Sequence, residues 1–260
     1  MRRLALMLLL AAGLPGGAAH AGSACADQPP QAGDFAQGMA LAQRVRTLLD
    51  QSGAQVVLIA RVGQDLSQYG VRYSHMAYAW RDHPQGRWLV VHELNTCGTA
   101  TSSLFNEGLG NFFMDGMFAY EARIVVPGAD MQRRLAAMLA SNAPLRMHAA
   151  HYNMLAYPFK TTYQNSNQWV LESWAAAMSE TPFTDRVQAQ AWLKRANYQP
   201  ATLAIPALTR LGARMFRANI AFDDQPFERR MAGHIDAVTV ESVVRFVHQV
   251  DRDAREIDIN

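Results

Sequence analysis

Cysteine is scarce in this chain. Cys25 and Cys97 are the two in 260 residues, so at most one internal disulfide can form. No block of consecutive basic residues occurs to neutralise phosphates, which argues against a nucleic-acid partner. No stretch beyond the first twenty-odd residues is long and apolar enough to span a bilayer, which takes about 20 residues. Gly108-Leu109-Gly110 lacks the Gly-Lys-Ser/Thr ending of a phosphate loop. Internal repeats and low-complexity tracts are missing as well.

The N-terminus carries a different signal. Arg2 and Arg3 precede an apolar run from Leu4 to Leu10, and Ala19-His20-Ala21 supplies a small-x-small pattern. These read as a secretory signal peptide over residues 1–21, too short for a membrane span. Taking Arg2 and Arg3 from the 24 basic residues leaves them balanced against the 22 acidic ones. The expected location is periplasmic or secreted, and the expected protein is not integral to the membrane after cleavage. In that oxidising compartment a Cys25–Cys97 disulfide is allowed, with a nucleophilic Cys97 as the alternative.

Residues 22–33 read as a flexible lead-in and 34–260 as one domain. Apolar spacing predicts a helix over 35–49, capped by Asp34 and stopped at Ser52-Gly53. The β-branched run 55–60 predicts a buried strand. Residues 72–80 and 87–94 predict two strands joined by the turn His83-Pro84-Gln85-Gly86, an antiparallel hairpin. The Gly-, Ser- and Asn-rich segment 95–118 reads as a long loop packed by Phe105, Phe112, Phe113 and Phe118, which are also candidates to line a groove. A strand is expected over 120–126. Helices are expected over 130–140, 166–178, 186–196 and 206–216, with an amphipathic one toward 250. The fold class is therefore α+β: an antiparallel sheet flanked by helices, with a helical C-terminal part from about 185 to 260.

Tyr163-Gln-Asn-Ser-Asn-Gln-Trp169 holds the strongest candidate for chemistry. A serine at the start of a helix has free backbone amides and a positive dipole end beside it. Those amides can receive an oxyanion. The plainer reading makes Asn165 or Ser166 a helix cap. His75 and His92, one on each hairpin strand, supply the base and orienting group that a nucleophile needs. Glu93 and Glu107 are candidate assistants. His148 and His151 have an i,i+3 spacing, but no nearby carboxylate or thiol completes a metal set. Asp223-Asp224 reads as a turn. No metal site and no cofactor is expected.

Two resemblances follow from these motifs. Ser74-His75-Met76-Ala77-Tyr78, then His92, then Asn165-Ser166-Asn167-Gln168-Trp169 resemble, in that order, the core of circularly permuted papain-like proteins, the NlpC-like and lecithin retinol acyltransferase-like group. The likeness covers about residues 55–178. It implies a papain-like fold with the histidine strand first and the nucleophile helix last. The group carries cysteine where this chain has Ser166. More of the chain, through "HELNTCG", "GLGNFF", "QNSNQWVLE", "AQAWL", "RLG" and "NIAFDD", resembles a secreted bacterial family known as domain of unknown function 2145, which brings no activity with it.

The resemblance implies a hydrolase or acyltransferase acting on an amide or ester bond. Ser166 would be the nucleophile, His75 the base and His92 its orienting partner, with Asn165, Asn167 and Gln168 as candidate binding residues. The substrate class would be a cell-envelope peptide or a small acyl or amide compound. The competing expectation is a non-catalytic papain-like module that binds an envelope ligand or a protein partner. A Ser166 hydroxyl aimed at His75 in a cleft favours the enzyme. A hydroxyl bonded only to its own helix amides favours the binding module.

Overall fold

The β-branched run at Val56–Val62 forms strand β1, and every residue in it is buried. A strand with no solvent face belongs in the middle of a sheet covered on both sides. The computed structural model describes residues 31–260 and places β1 in that position. Around it lie β2 (His75–Trp80), β3 (Leu89–Asn95), β4 (Ser102–Gly108), β5 (Ala119–Val126) and β8 (Arg255–Ile259). The sheet order is β4-β3-β2-β1-β5-β8, and every pairing in it is antiparallel. A second, two-stranded sheet pairs β6 (Ala201–Ala204) with β7 (His234–Ala237).

Alternation along the strands sorts the core into two layers. Val57, Ile59, Ala77, Ala79 and Val90 face helices α1 (Ala32–Ser52) and α2 (Leu109–Met114). Val56, Leu58, Met76, Tyr78 and Val91 face the other layer. That layer holds α3 (Ala129–Leu139), α4 (Ala143–Arg146), α5 (Ser166–Met178), α6 (Arg186–Arg195) and α9 (Val240–Val250). Near the small sheet, α7 (Ala207–Phe216) and α8 (Phe227–Met231) complete the chain. Gly38 permits close contact between α1 and α2, since a Cβ there would stand 2.7 Å from the Phe113 carbonyl oxygen. That contact seats Phe112, which floors the site described below.

Several elements differ from the sequence reading. Helix α1 begins earlier than expected: Gln31 is the cap, and Asp34 bonds back to the Gln31 amide at 3.3 Å from the third helical position. The expected loop 95–118 contains strand β4 and helix α2. Strand β4 is the outer strand of the sheet, where residues of low strand propensity such as Gly, Ser and Asn are tolerated because pairing is required on one side only. Phe112 and Phe113 are core residues, whereas Phe105 and Phe118 are exposed. The C-terminal part is mixed rather than helical, because β6 and β7 pair antiparallel across the intervening α7 and α8 and β8 adds a sixth strand beside β5. Cys25 and the 1–21 leader lie outside the described residues, as does most of the 22–33 lead-in.

Candidate functional site

The β2–β3 ladder pairs Trp80 with Leu89, Ala79 with Val90 and Tyr78 with Val91, and stops there. Helix α5 enters where the strands part. The Asn167 side-chain oxygen accepts a hydrogen bond from the Met76 amide at 2.9 Å, and its nitrogen donates to the Ser74 carbonyl at 3.3 Å. One carboxamide thus satisfies backbone groups that a neighbouring strand would otherwise pair. The contact fixes the start of α5 against the start of β2.

The cap of α5 is Asn165, whose side-chain oxygen accepts from the Gln168 amide at 2.8 Å. Its amide nitrogen reaches the Met154 and Val238 carbonyls. Ser166 is therefore released from capping. Its Oγ stands 3.0 Å from His75 Nδ1. His75 Nε2 stands 2.9 Å from His92 Nδ1. His92 Nε2 stands 3.0 Å from Glu107 Oε1, a close but bent contact outside good hydrogen-bond alignment. Continuing the hairpin register sets His92 opposite Ala77, so the two histidines share one face on the diagonal. Glu107 joins them because β4 pairs His92 with Phe105, and Glu107 lies two residues along on the same face.

One proton arrangement satisfies this chain of contacts. If the Ser166 hydroxyl donates to His75 Nδ1, the His75 proton is on Nε2 and donates to His92 Nδ1. The His92 proton is then on Nε2 and points toward the Glu107 carboxylate, which only accepts. Phe112 closes the floor, its ring centroid 5.9 Å from that of His75 and 5.6 Å from that of His92.

Burial, then the neighbouring charges of Arg61 and His92, holds His75 well below the usual histidine range. Neutral imidazole is the form that accepts a proton. His92 is lowered by burial too, partly offset by Glu107. Arg61 is itself buried; it donates to the Phe112 carbonyl and to Asp115, the latter at 2.6 Å.

Tyr152 completes the surroundings of the serine. Burial and the charge of Glu93 push its hydroxyl up, while the Ser166 hydroxyl and backbone amide act on it in the opposite sense. Tyr152 and Ser166 line the same cleft. Glu93, on the opposite face of β3 from His92, is fully buried, and neither of its carboxyl oxygens has a well-formed hydrogen bond. Burial pushes it up to about 8, with Ser102 and Arg186 pulling the other way.

Below the site, α5 is anchored by a buried ion pair. Arg186 Nε donates to Glu172 Oε2 at 2.7 Å, and Gln164, Gln168 and Gln190 donate to the same carboxylate. Gln168 and Asn165 therefore hold the helix. Asn167 is the one of the three expected binding residues that lines the cleft.

That cleft encloses about 890 Å³. Its polar end holds Ser166, His75, Asn167, Glu107 and Arg61. Its apolar end runs past Val71, Met154 and Leu155 to Leu203, Ile205 and Phe222 of the small-sheet region. Cys97 lies on the rim and is disulfide-bonded rather than a free thiol. The Cys25–Cys97 pairing itself involves a residue outside those described. His148 bonds Ser102 at 3.1 Å and His151 packs on Tyr163. Asp223 accepts from the Tyr163 hydroxyl, and Asp224 from the Tyr157 amide. Among the described residues no group of three or more His, Cys, Asp and Glu is placed to hold a metal ion. No helix among them is long and apolar enough to cross a membrane.

Glu107 and Tyr152 carry more of the site than the sequence suggested. Strand alternation from Phe105 to Glu107 was the available signal for the first. Tyr152 sits in an irregular segment and gave none.

Residues 48–247 match the model of a family described as an uncharacterized protein conserved in bacteria, DUF2145, and the chain belongs to it. No curated protein and no solved structure matches the chain.

Proposed function

We propose that this protein is a papain-like hydrolase or acyltransferase that attacks an amide or ester carbonyl through Ser166. The observation that carries the reading is the direction of the Ser166 hydroxyl. It meets His75 Nδ1 at 3.0 Å on the wall of a cleft, while Asn165 performs the capping. A serine serving only as a cap would turn back to its own helix amides. This favours the enzyme over the non-catalytic binding module.

In the reaction, His75 takes the Ser166 proton as Oγ bonds to the substrate carbonyl carbon. The imidazolium formed on His75 is supported by His92, which is polarised in turn by Glu107. The Gln168 amide is taken by the Asn165 cap, which leaves the earlier amides of α5 to meet the developing oxyanion, and Tyr152 lines the same cleft with a phenolic O–H. His75 then returns the proton to the leaving amine or alcohol. Water gives hydrolysis, and another nucleophile gives acyl transfer. His75 and Ser166 are the catalytic residues; His92 and Glu107 position the base.

The permuted papain-like assignment belongs to this proposal. Its support is the order of elements: a histidine strand, a second histidine on the next strand, then the nucleophile at a helix start. Serine in place of the group's cysteine makes proton removal obligatory at the moment of attack, since a hydroxyl has little anion at neutral pH. The sequence pattern of residues 1–21, a basic start, an apolar run and Ala19-His20-Ala21, supports a periplasmic or secreted location and with it a cell-envelope substrate.

A panel of acyl p-nitrophenyl esters and anilides tests the activity. Turnover by the wild type that disappears in Ser166→Ala supports the reading. Turnover unchanged in that variant overturns it.

A further inference from the structure

Helix α7 is amphipathic in an unusual sense: its apolar stripe points outward. Leu208, Leu211 and Met215 recur at i, i+3 and i+7, so they lie on one face. They are 84%, 58% and 67% exposed. Thr209 and Ala213 of the same helix line the cleft. The helix therefore roofs the cleft with one side and offers three large apolar side chains to solvent with another. Five of the large hydrophobic side chains left exposed among the described residues are on α7 and its neighbour α8, the other two being Phe227 and Met231. The two helices meet at one place: α7 follows β6, α8 precedes β7, and the Ile205 amide donates to the Gly233 carbonyl at 2.9 Å.

Helix α7 itself carries charge of one sign. From Arg186 to Phe222 there is no Asp or Glu, while Arg210, Arg214 and Arg217 fall in or just after α7. Arg214 is exposed and borders the apolar stripe. In α8 the charge is balanced, since Arg229 pairs with Asp236 and Arg230, which donates to the Phe222 carbonyl, is accompanied by Glu228, so the basic character lies on α7. An apolar stripe bordered by arginine, on a helix with no acid, is the pattern of a helix lying in the plane of an anionic lipid interface.

We infer that α7, with the adjoining end of α8, docks the protein on an anionic lipid surface. The apolar stripe enters the headgroup boundary and the arginines face lipid phosphates. Docked this way, the Thr209 and Ala213 side of α7 and the apolar end of the cleft are held next to the lipid. The inference does not depend on Ser166 being a nucleophile.

Co-sedimentation of the purified protein with phosphatidylcholine vesicles, with and without phosphatidylglycerol, tests it. Ser166→Ala, Leu211→Glu/Met215→Glu and Arg214→Glu variants run alongside, with circular dichroism to verify folding. The expected result is binding to the phosphatidylglycerol vesicles that weakens with salt. It should fall about tenfold or more in the Leu211→Glu/Met215→Glu variant, fall less in Arg214→Glu, and persist in Ser166→Ala. No binding by the wild type, or binding unchanged by the stripe substitutions, overturns the inference. So does a dimer in solution that the stripe substitutions abolish, because the stripe would then be covered by a second copy. Loss of esterase activity in Ser166→Ala leaves the docking result untouched, so the two readings fail separately.

Discussion

Ser166 Oγ meets His75 Nδ1 at 3.0 Å, although the two residues lie on elements packed from different directions. Asn165 and Asn167 make this contact possible from either side. The first caps α5 and frees the serine; the second ties the helix start to the β2 backbone. A small polar triplet thus does three separate jobs.

His92→Ala should reduce the reaction of Ser166 about 10²- to 10⁴-fold while leaving the fold intact, because it removes the group that holds the His75 proton on Nε2. The rate of fluorophosphonate inactivation reads this directly. An unchanged rate would remove His92 from the site. In the wild type the acid limb of that rate should fall below pH 6.5, since burial and the Arg61 charge favour neutral His75. Arg61→Gln should move the limb upward.

Ser166→Cys should give a thiol that alkylates with iodoacetamide at pH values below the usual thiol range near 8.5. The helix start and His75 both favour the thiolate. A thiol that reacts only above that range would contradict the electrostatics proposed for the site.

Tyr152→Phe should lower turnover of a substrate about 10- to 10³-fold with little change in KM, as expected for a donor that acts on the oxyanion. A change confined to KM would assign the phenol to binding instead.

Much of this arrangement was legible in the sequence. Alternation and turn chemistry marked the β2–β3 hairpin, and the apolar run after Asn165-Ser166-Asn167 marked α5. Glu107 was legible as a candidate assistant but its strand was not, because Ser102–Gly108 is low in β-branched residues and its strand character comes from pairing with β3 at the sheet edge. Strand β8, with Glu256, Ile257, Asp258 and Ile259 in alternation, fell within the part expected to be helical, and its strand character comes from pairing with β5. Arg186 and Glu172, fourteen residues apart, meet only because α6 folds back on α5.

Glu172→Ala should destabilise the fold by about 3–5 kcal/mol, since it leaves the buried Arg186 guanidinium without its carboxylate. Urea unfolding followed by tryptophan fluorescence measures this. A loss under about 1 kcal/mol would mean that solvent reaches Arg186.

Glu93 gives the fold a pH dependence of known sign. Its carboxyl is raised from an ordinary 4.5 to about 8, so the folded state holds the proton more tightly than the unfolded one. This contribution is complete below about pH 4.5 and is lost as pH rises through about 8, at up to ~1.4 kcal/mol per pH unit. The stability difference between wild type and Glu93→Gln, measured by denaturation from pH 5 to about 9, should therefore shift in favour of the variant as pH rises. A difference independent of pH would show that Glu93 is ionised throughout.

The most direct measurement is fluorophosphonate labelling of the purified protein, with the modified peptide identified by mass spectrometry. An activated Ser166 predicts a single adduct on that residue, lost in Ser166→Ala and strongly slowed in His75→Ala. An adduct elsewhere, or one on Ser166 that forms equally fast without His75, would contradict the account.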